Sequence, residues 1–248
     1  MTMTKEEKFN KWFNAFILVG MAVAVVLATL LKIGDNASAN ALLIISAAGA
    51  LMGVLATVCS ANGMILTFLF GLLDVSVYGV MCLLNWRDGN SGLGNAILHF
   101  VYFVPMQFVG FLQWKKRGAD GRTKVKARRM SLRDWGLVSA MFAVGSVVGY
   151  IVIARFDRSA AEGFIRTAVV LDVLPLMCNI IGQLLMSTAY MEQWIFWIGV
   201  NVTSIMMWSF SLKDAPDSFA LIYIVKYSFY LINSVNGLRI WIRLSRKS

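Results

Sequence analysis

The chain has few prolines, few cysteines and few charged residues. Among its 248 residues are three prolines, three cysteines and 15% charged residues, whereas 58% are hydrophobic. A soluble domain is nearer about 45–50% apolar, so the composition argues against a soluble protein. Cys59, Cys82 and Cys178 lie in apolar segments without disulfide-framework or metal-site spacing. The sequence predicts an integral membrane protein that uses no disulfide, metal or cofactor.

Motifs of other function classes are also missing. No Walker sequence is present, which argues against ATP-driven transport within the chain. The D-x-x-D-G, H-E-x-x-H and G-x-S-x-G motifs are absent as well, so we predict that the protein is not an enzyme. The net charge of +10 raises nucleic acid as a partner. However, the basic residues cluster beside apolar segments, as membrane topology requires, and no nucleic-acid-binding motif accompanies them.

Eight apolar segments approach the ~20 residues that a helix needs to cross a bilayer. We therefore predict an all-α polytopic membrane protein with eight transmembrane helices. The segments cover roughly 13–31, 41–58, 62–84, 95–114, 135–154, 164–187, 192–212 and 218–242.

Charge predicts the orientation. The loop 115–134 holds nine lysines and arginines against two aspartates, so it is expected in the cytoplasm. Four spans separate this loop from the basic C-terminus and four from the basic N-terminus, so both termini are expected there too. The loop near 155–163, with Arg155 and Arg158, fits this scheme least well.

A shift of 127 residues aligns parts of the chain with each other. It places Gly110-Phe-Leu-Gln-Trp114 on Gly237-Leu-Arg-Ile-Trp241, and Asp74 on Asn201. We interpret this as two three-helix repeats, 41–114 and 164–243, separated by the cytoplasmic loop 115–134 and a linker helix at 135–155. An N-terminal helix at 1–34 lies outside this 3+1+3 core. Such repeats are parallel, as in SWEET carriers, and predict a site at the midplane between them.

One helix carries the strongest binding signal. Trp194, Trp197 and Asn201 are spaced i, i+3, i+7 and so share a helical face. Two indoles and an amide can bind a flat cationic ring, since indole faces attract cations. The alternative is that the tryptophans serve packing or the membrane interface.

Polar residues within apolar segments are costly and need a partner or a role. Asp74 and Asn201 are expected to face each other, either as a site or as a structural hydrogen bond. Asp172 and Lys226 are interpreted as a structural ion pair. The remaining candidates for substrate contact are Gln107, Asn179, Gln183 and Gln193, and those for structural or gating roles are Glu192, Tyr102 and Asn236.

Several of these residues lie in a recognisable pattern. The run Tyr190–Val202, with its E-x-W-x-x-W-x-x-x-N motif, resembles the PnuC family of bacterial nicotinamide riboside transporters. Asn236-Gly-Leu-Arg-Ile-Trp241, Phe70–Ser76 and Tyr102–Gly110 fit the same family. The resemblance covers roughly 41–243. Asp74 departs from it, because a relative carries asparagine there.

The resemblance implies a SWEET-like fold in the bacterial inner membrane. It also implies uptake of nicotinamide riboside by facilitated diffusion, driven by a cytoplasmic riboside kinase that traps the product. Trp194 and Trp197 would hold the pyridinium ring, while amides bind the carboxamide or ribose. The mononucleotide is expected to be rejected, because no basic cluster awaits its phosphate. Alternatives are a sugar carrier and a retinal protein that uses Lys226. The oligomeric state stays open, a homo-oligomer included.

Overall fold

The computed structural model describes residues 4–34, 37–87, 93–156, 167–214 and 218–246. These residues form nine α-helices: α1 Lys5–Leu30, α2 Ala37–Ala61, α3 Thr67–Arg87, α4 Leu93–Leu98, α5 Val104–Lys116, α6 Leu132–Phe156, α7 Thr167–Ser187, α8 Gln193–Asp214 and α9 Ser218–Arg246. A π-helical turn, His99–Phe103, joins α4 to α5, so there are eight helical rods. The described residues contain no strand beyond one isolated bridge.

The all-helical prediction is confirmed. Within the described part of the chain, six rods are long and apolar enough to cross a membrane: α1, α2, α3, α4–α5, α6 and α7. Each predicted span coincides with one rod. The other two rods, α8 and α9, carry several of the polar residues assigned above to a site. Of the loop predicted near 155–163, residues 157–163 lie outside the described residues, as do 164–166 of the second repeat.

The chain divides into two compact units, Met1–Lys126 and Ala127–Ser248. The first holds α1 to α5 and the second holds α6 to α9. Within the first unit α1 packs on α2 and α2 on α3; within the second, α6 packs on α7 and α7 on α8. Each unit therefore consists of four rods in the same packing order. The N-terminal helix α1 was expected to lie outside the repeat core. It occupies the same place in the packing order of the first unit as α6 does in the second.

Close helix contact in the first unit depends on a glycine pair. Gly49 and Gly53 on α2 face Val77 and Asp74 on α3, and a Cβ at either glycine would come within 2.8 Å of those side chains. This is the small-x-x-x-small arrangement that lets helices approach inside a membrane. The pair therefore places Asp74 against the backbone of α2.

The same turn occurs once in each unit, between α2 and α3 and between α7 and α8. In the first, Gly63 has φ 68°, its N–H donates to the Ser60 carbonyl, and the Met64 N–H donates to Cys59. The second repeats these bonds at Ala189, which has φ 62°. Gly63 therefore corresponds to Ala189, an offset of 126 residues. The predicted offset of 127 is wrong at this turn.

The offset of 126 also applies to α3 and α8, because each is a continuous helix that begins just after this turn. An offset of 126 matches Asn201 with Val75 rather than with Asp74. One residue turns a helix by about 100°, so Asp74 and Asn201 are not equivalent in direction. Residue matching missed this, because the turns share no residue type at their left-handed positions.

An aromatic side chain packs on a helix glycine in both units. In the first, Phe68 lies against Gly110 and edge-on to Trp114, with ring centroids 4.9 Å apart. In the second, Trp194 lies against Gly237 and edge-on to Trp241, at 6.3 Å. The two G-x-x-x-W motifs therefore correspond at the predicted offset of 127 residues. Both closing tryptophans, Trp114 and Trp241, are fully buried.

The basic segment between α5 and α6 is ordered. Val125 and Ala127 are buried, whereas Lys124, Lys126 and Arg128 are exposed. This alternation puts the cations on one side of an extended segment. Within the first unit, the Val125 N–H donates to the Gly63 carbonyl at 3.0 Å.

The second half of the segment binds the equivalent turn of its own unit. The Arg128 N–H donates to Ala189 at 2.7 Å, and the Met191 N–H donates to Arg128 at 2.9 Å. The Arg128 guanidinium lies 4.3 Å from the centre of the Tyr190 ring. Each half of the basic segment is thus fixed to the left-handed turn of one unit.

A tight turn precedes this extended segment. Asp120 accepts hydrogen bonds from the Thr123 and Arg122 N–H groups, at 2.8 and 2.9 Å, and from the Thr123 hydroxyl. These donors stabilise the ionised carboxylate and lower the pKa of Asp120. The turn is therefore best formed when Asp120 is charged.

Candidate functional site

α8 brings the three residues of the tryptophan motif onto one helix, as predicted. Their surroundings differ. Trp194 is 2% exposed and its ring fills the space above Gly237. Trp197 is partly exposed, and its indole lies against Gly182 of α7, where a Cβ would be 3.2 Å from the ring. The face of Trp194 is therefore used in packing, whereas Trp197 keeps accessible surface.

Asn201 extends the Trp197 face by about one helical turn. It is 5% exposed, and its Nδ2 donates to the Ser234 hydroxyl of α9 at 3.0 Å. Ser234 could not be predicted as a partner from the sequence, because a serine in an apolar helix usually bonds to its own backbone. The bond fixes the Asn201 amide and leaves its oxygen as an acceptor.

The amides of α7 bond within their own helix. Asn179 Nδ2 donates to the carbonyl of Pro175, at 2.9 Å. Gln183 Nε2 donates to the Ser187 hydroxyl at 3.1 Å, and Gln183 is 5% exposed. These bonds fix both side chains, and each amide oxygen remains available to accept.

Three buried residues on α8 and α9 have polar atoms without a partner among the described residues. These atoms are the Gln193 Oε1, the Trp194 Nε1 and the Asn236 Nδ2. Their other polar groups are bonded: Gln193 Nε2 donates to the Tyr190 carbonyl, and Asn236 Oδ1 accepts from Arg239 Nε at 3.0 Å. Buried polar atoms are normally satisfied, so each of these atoms is available to a ligand or a water molecule.

Glu192 ends the turn before α8. It is 5% exposed, and one carboxylate oxygen accepts the Met130 N–H at 3.0 Å while the other has no partner within the described residues. The carboxylate thus attaches the basic segment to the start of α8, consistent with the favourable position of an acid at a helix N-terminus.

Gln107 is a buried candidate residue of the first unit. It is 3% exposed, its Nε2 donates to the Phe103 carbonyl at 3.3 Å, and its Oε1 has no partner among the described residues. That oxygen lies over Gly71, where a Cβ would be 2.6 Å away. Asp74, half-buried on the same helix α3, lies against Gly53. The absence of a side chain at Gly71 and Gly53 therefore leaves the space that the Gln107 amide and the Asp74 carboxylate occupy.

Pro105 shapes the helix beside Gln107. The Val104 N–H donates to the His99 carbonyl, five residues earlier, which makes His99–Phe103 a π-helical turn. Proline has no N–H and disrupts the regular ladder around it, and π turns are frequent at functional sites. The regular helical hydrogen-bond pattern is therefore interrupted just before Gln107. Tyr102 packs edge-on against Phe103 in this turn.

The two charged candidates of the second unit lie on α7 and α9. Asp172 is exposed on α7. Lys226 is partly exposed on α9, and its Nζ lies 5.8 and 5.6 Å from the ring centres of Tyr227 and Tyr230. The rings can stabilise the ammonium through their faces. The Asp172–Lys226 ion pair stays a prediction.

Comparison with known proteins gives consistent results. Residues 43–243 match the family model described as "Nicotinamide mononucleotide transporter". "Nicotinamide riboside transporter PnuC" of Neisseria mucosa is 34% identical over 208 residues, which cover 82% of this chain and 73% of that protein. The protein of the same name from Haemophilus influenzae is 28% identical, covering 79% and 78%.

A solved structure is similar over almost the whole chain. It is described as the crystal structure of the vitamin B3 transporter PnuC, with a TM-score of 0.68 and 30% identity. The match covers 99% of this chain and 94% of that one.

Proposed function

The chain belongs to the PnuC family of transporters, and from this premise we propose that it carries nicotinamide riboside across the membrane. The observation that carries the proposal is the match to a nicotinamide riboside transporter at 34% identity over 82% of the chain. The face formed by Trp197 and Asn201 supports it, because an accessible indole and an oriented amide suit a flat cationic pyridinium.

We assign the binding roles residue by residue. Trp197 stacks on the pyridinium, and Asn201, fixed by Ser234, binds the carboxamide or a ribose hydroxyl. Trp194 supports the start of α8 through its packing and offers its indole N–H, which has no partner within the described residues. Further acceptors for the carboxamide and hydroxyls are the amides of Gln107, Gln193, Asn179 and Gln183.

Asp74 is proposed to supply negative charge to the cationic substrate. Its carboxylate is half-buried against the Gly53 backbone, where lower polarity strengthens attraction to a cation. The residues assigned to substrate contact include no lysine or arginine. We therefore propose that the riboside is accepted and its 5′-phosphate is rejected, although the family model is named for the mononucleotide.

The proposed mechanism is facilitated diffusion by alternating access. We assign the substrate site to a depth near the membrane midplane. In a carrier that is coupled neither to ATP nor to an ion, net uptake depends on trapping, which we assign to a cytoplasmic riboside kinase. The basic segment and both termini are assigned to the cytoplasmic side of the bacterial inner membrane, following the distribution of lysine and arginine.

Counterflow of labelled nicotinamide riboside in proteoliposomes tests this proposal. We expect exchange that excess unlabelled riboside abolishes and that mononucleotide or hexose leaves unchanged. Dissipating ion gradients should have no effect. Trp197→Ala should lose most exchange, whereas Trp12→Phe, at a side chain that is 64% exposed on α1, should exchange like the wild type. Competition by hexose but not by riboside would overturn the substrate assignment in favour of a sugar carrier.

A further inference from the structure

A concave surface lies on the second unit, and none of its lining residues belongs to the Trp197–Asn201 face. It is a groove of about 300 Å³ formed by three helices. Its lining is apolar apart from one serine and one cysteine: Val138, Ser139 and Phe142 from α6, Cys178 from α7, and Ile195 and Phe196 from α8. Such a lining suits a hydrocarbon chain.

The groove starts close to one end of its helices. Met130, just before α6, donates its N–H to Glu192, just before α8, so both helices begin on the same side. Ile195 is two residues inside α8, and Cys178 lies nine residues before the end of α7 on that side. At a rise of about 1.5 Å per residue, the groove extends from roughly 3 Å to roughly 14 Å below the helix ends.

Cations surround the shallow end of the groove. Arg128, Arg129 and Arg133 are exposed there. Arg129 Nε donates to the Ser245 hydroxyl at 2.9 Å, which places the C-terminal turn of α9 beside them. That turn adds exposed Arg243 and Arg246.

The acidic groups at this rim are already engaged. Asp134 accepts bonds from the N–H and hydroxyl of Ser131, and Glu192 accepts the Met130 N–H. These hydrogen bonds do not remove the two negative charges, but five arginines against two carboxylates still leave a net positive rim. Leu132 between them is 92% exposed, as expected of a side chain at a lipid interface rather than in water.

We propose that this surface binds one anionic phospholipid. An acyl chain occupies the groove, and the phosphate headgroup binds the arginines at its rim. Charge complementarity selects the occupant: an apolar groove ending under five cations fits an amphiphile with a negative head. Clusters of arginine and lysine directly beside membrane helices are typical anionic-lipid contacts.

Native mass spectrometry of the full chain in detergent tests the proposal, with added phosphatidylglycerol or phosphatidylcholine as probes. Arg129→Gln with Arg133→Gln removes two headgroup cations, and Ser139→Trp fills the groove from an exposed position. Two controls lie on the same helix α6: Arg155→Gln at its opposite end, and Val144→Trp at a position that is 63% exposed outside the groove. Thermal unfolding in detergent verifies that each variant folds.

We expect one phosphatidylglycerol to remain bound to the wild type and phosphatidylcholine to bind at least tenfold more weakly. Removing rim cations should weaken phosphatidylglycerol by about fivefold per charge, and Ser139→Trp should abolish the retained lipid. Both controls should bind like the wild type. Equal retention of the two lipids, or losses in the controls as large as in the rim and groove variants, would overturn the proposal. Two results together would overturn it in another way: inorganic phosphate displaces phosphatidylglycerol, and Ser139→Trp retains as much phosphatidylglycerol as the wild type. They would indicate a site for phosphate alone, without an acyl chain in the groove.

Discussion

Replacing Gly237 by alanine perturbs the packing that holds the start of α8. A Cβ at this position would lie 2.7 Å from three atoms of the Trp194 ring, whereas carbon atoms in good contact are about 3.5–4.0 Å apart. The ring must therefore move by about 1 Å. It has little room, because Trp194 is 2% exposed and Trp241, against which its edge packs, is fully buried.

The size of the effect follows from two opposing contributions. Overpacking a well-filled site costs about 1–3 kcal/mol, and replacing a helical glycine by alanine gains up to about 1 kcal/mol. Gly136 of α6 offers a matched control, since a Cβ there would meet nothing within 4 Å. Gly136→Ala should gain only the helix term. The two variants should therefore differ by about 1–3 kcal/mol in free energy of unfolding.

Thermal unfolding in detergent, followed by circular dichroism, measures this difference. About 2–4 °C per kcal/mol is expected for a chain of this size, so Gly237→Ala should unfold several degrees below Gly136→Ala. Because Trp197 and Asn201 follow on the same helix, Gly237→Ala should also bind nicotinamide riboside more weakly. Equal unfolding temperatures and unchanged binding would refute the argument that Trp194 packing on Gly237 positions α8.

Three further predictions concern other parts of the chain. Gly71→Ala should displace the Gln107 amide and weaken riboside binding several-fold with little loss of stability, as titration and thermal unfolding would reveal; unchanged affinity would remove Gln107 from the site. Glu192→Ala should lower the free energy of unfolding by about 1.5–3 kcal/mol, since it deletes a charged hydrogen-bond acceptor, and Glu192→Gln, which keeps an acceptor, should lose less; equal losses would contradict this account. Asp120→Asn should speed tryptic cleavage after Arg122. Because folding lowers the pKa of Asp120, the stabilisation by this turn should be present above the ordinary carboxyl pKa. It should be lost as pH falls through the pKa of the folded state. Hydrogen exchange of the turn amides, corrected for intrinsic rates, would check the pH dependence, and protection that is unchanged by acid would contradict it.

Hydropathy was sufficient to predict the helical rods, because a bilayer imposes the length and apolarity of each one. It was less informative at helix ends. α9 continues to Arg246, beyond the predicted limit at 242, since arginine continues a helix as readily as leucine. The π turn was foreseeable from Pro105, because the missing N–H changes the local ladder whatever the tertiary context.

The repeat register could not be read from residue matches. The left-handed turn uses glycine at 63 and alanine at 189, and alanine is rare in this conformation, so the turns share a geometry without sharing a signal. Conversely, the paired G-x-x-x-W motifs were visible because Gly110 and Gly237 each accommodate an aromatic ring. Matching residues by type therefore detects the glycines that pack on aromatic rings. It does not detect the left-handed turns, where the residue types differ.

The helix that carries the candidate residues was predictable, whereas the surroundings of each residue were not. Helical spacing places Trp194, Trp197 and Asn201 on one face, but spacing carries no information on the glycines opposite. Gly237 lies against the first indole and Gly182 against the second, and the exposure of the two indoles differs. The pairing of the basic segment with the turn before α8 likewise depends on distant residues, so its charges alone predicted only its side of the membrane.

The central claim, that the Trp197–Asn201 face binds nicotinamide riboside, is tested most directly by calorimetric titration of the riboside into detergent-purified protein. The account predicts saturable binding by the wild type, a large loss in folded Trp197→Ala and Asn201→Ala variants, and no heat with the mononucleotide. Binding that survives in both variants, or mononucleotide binding as tight as that of the riboside, would contradict it.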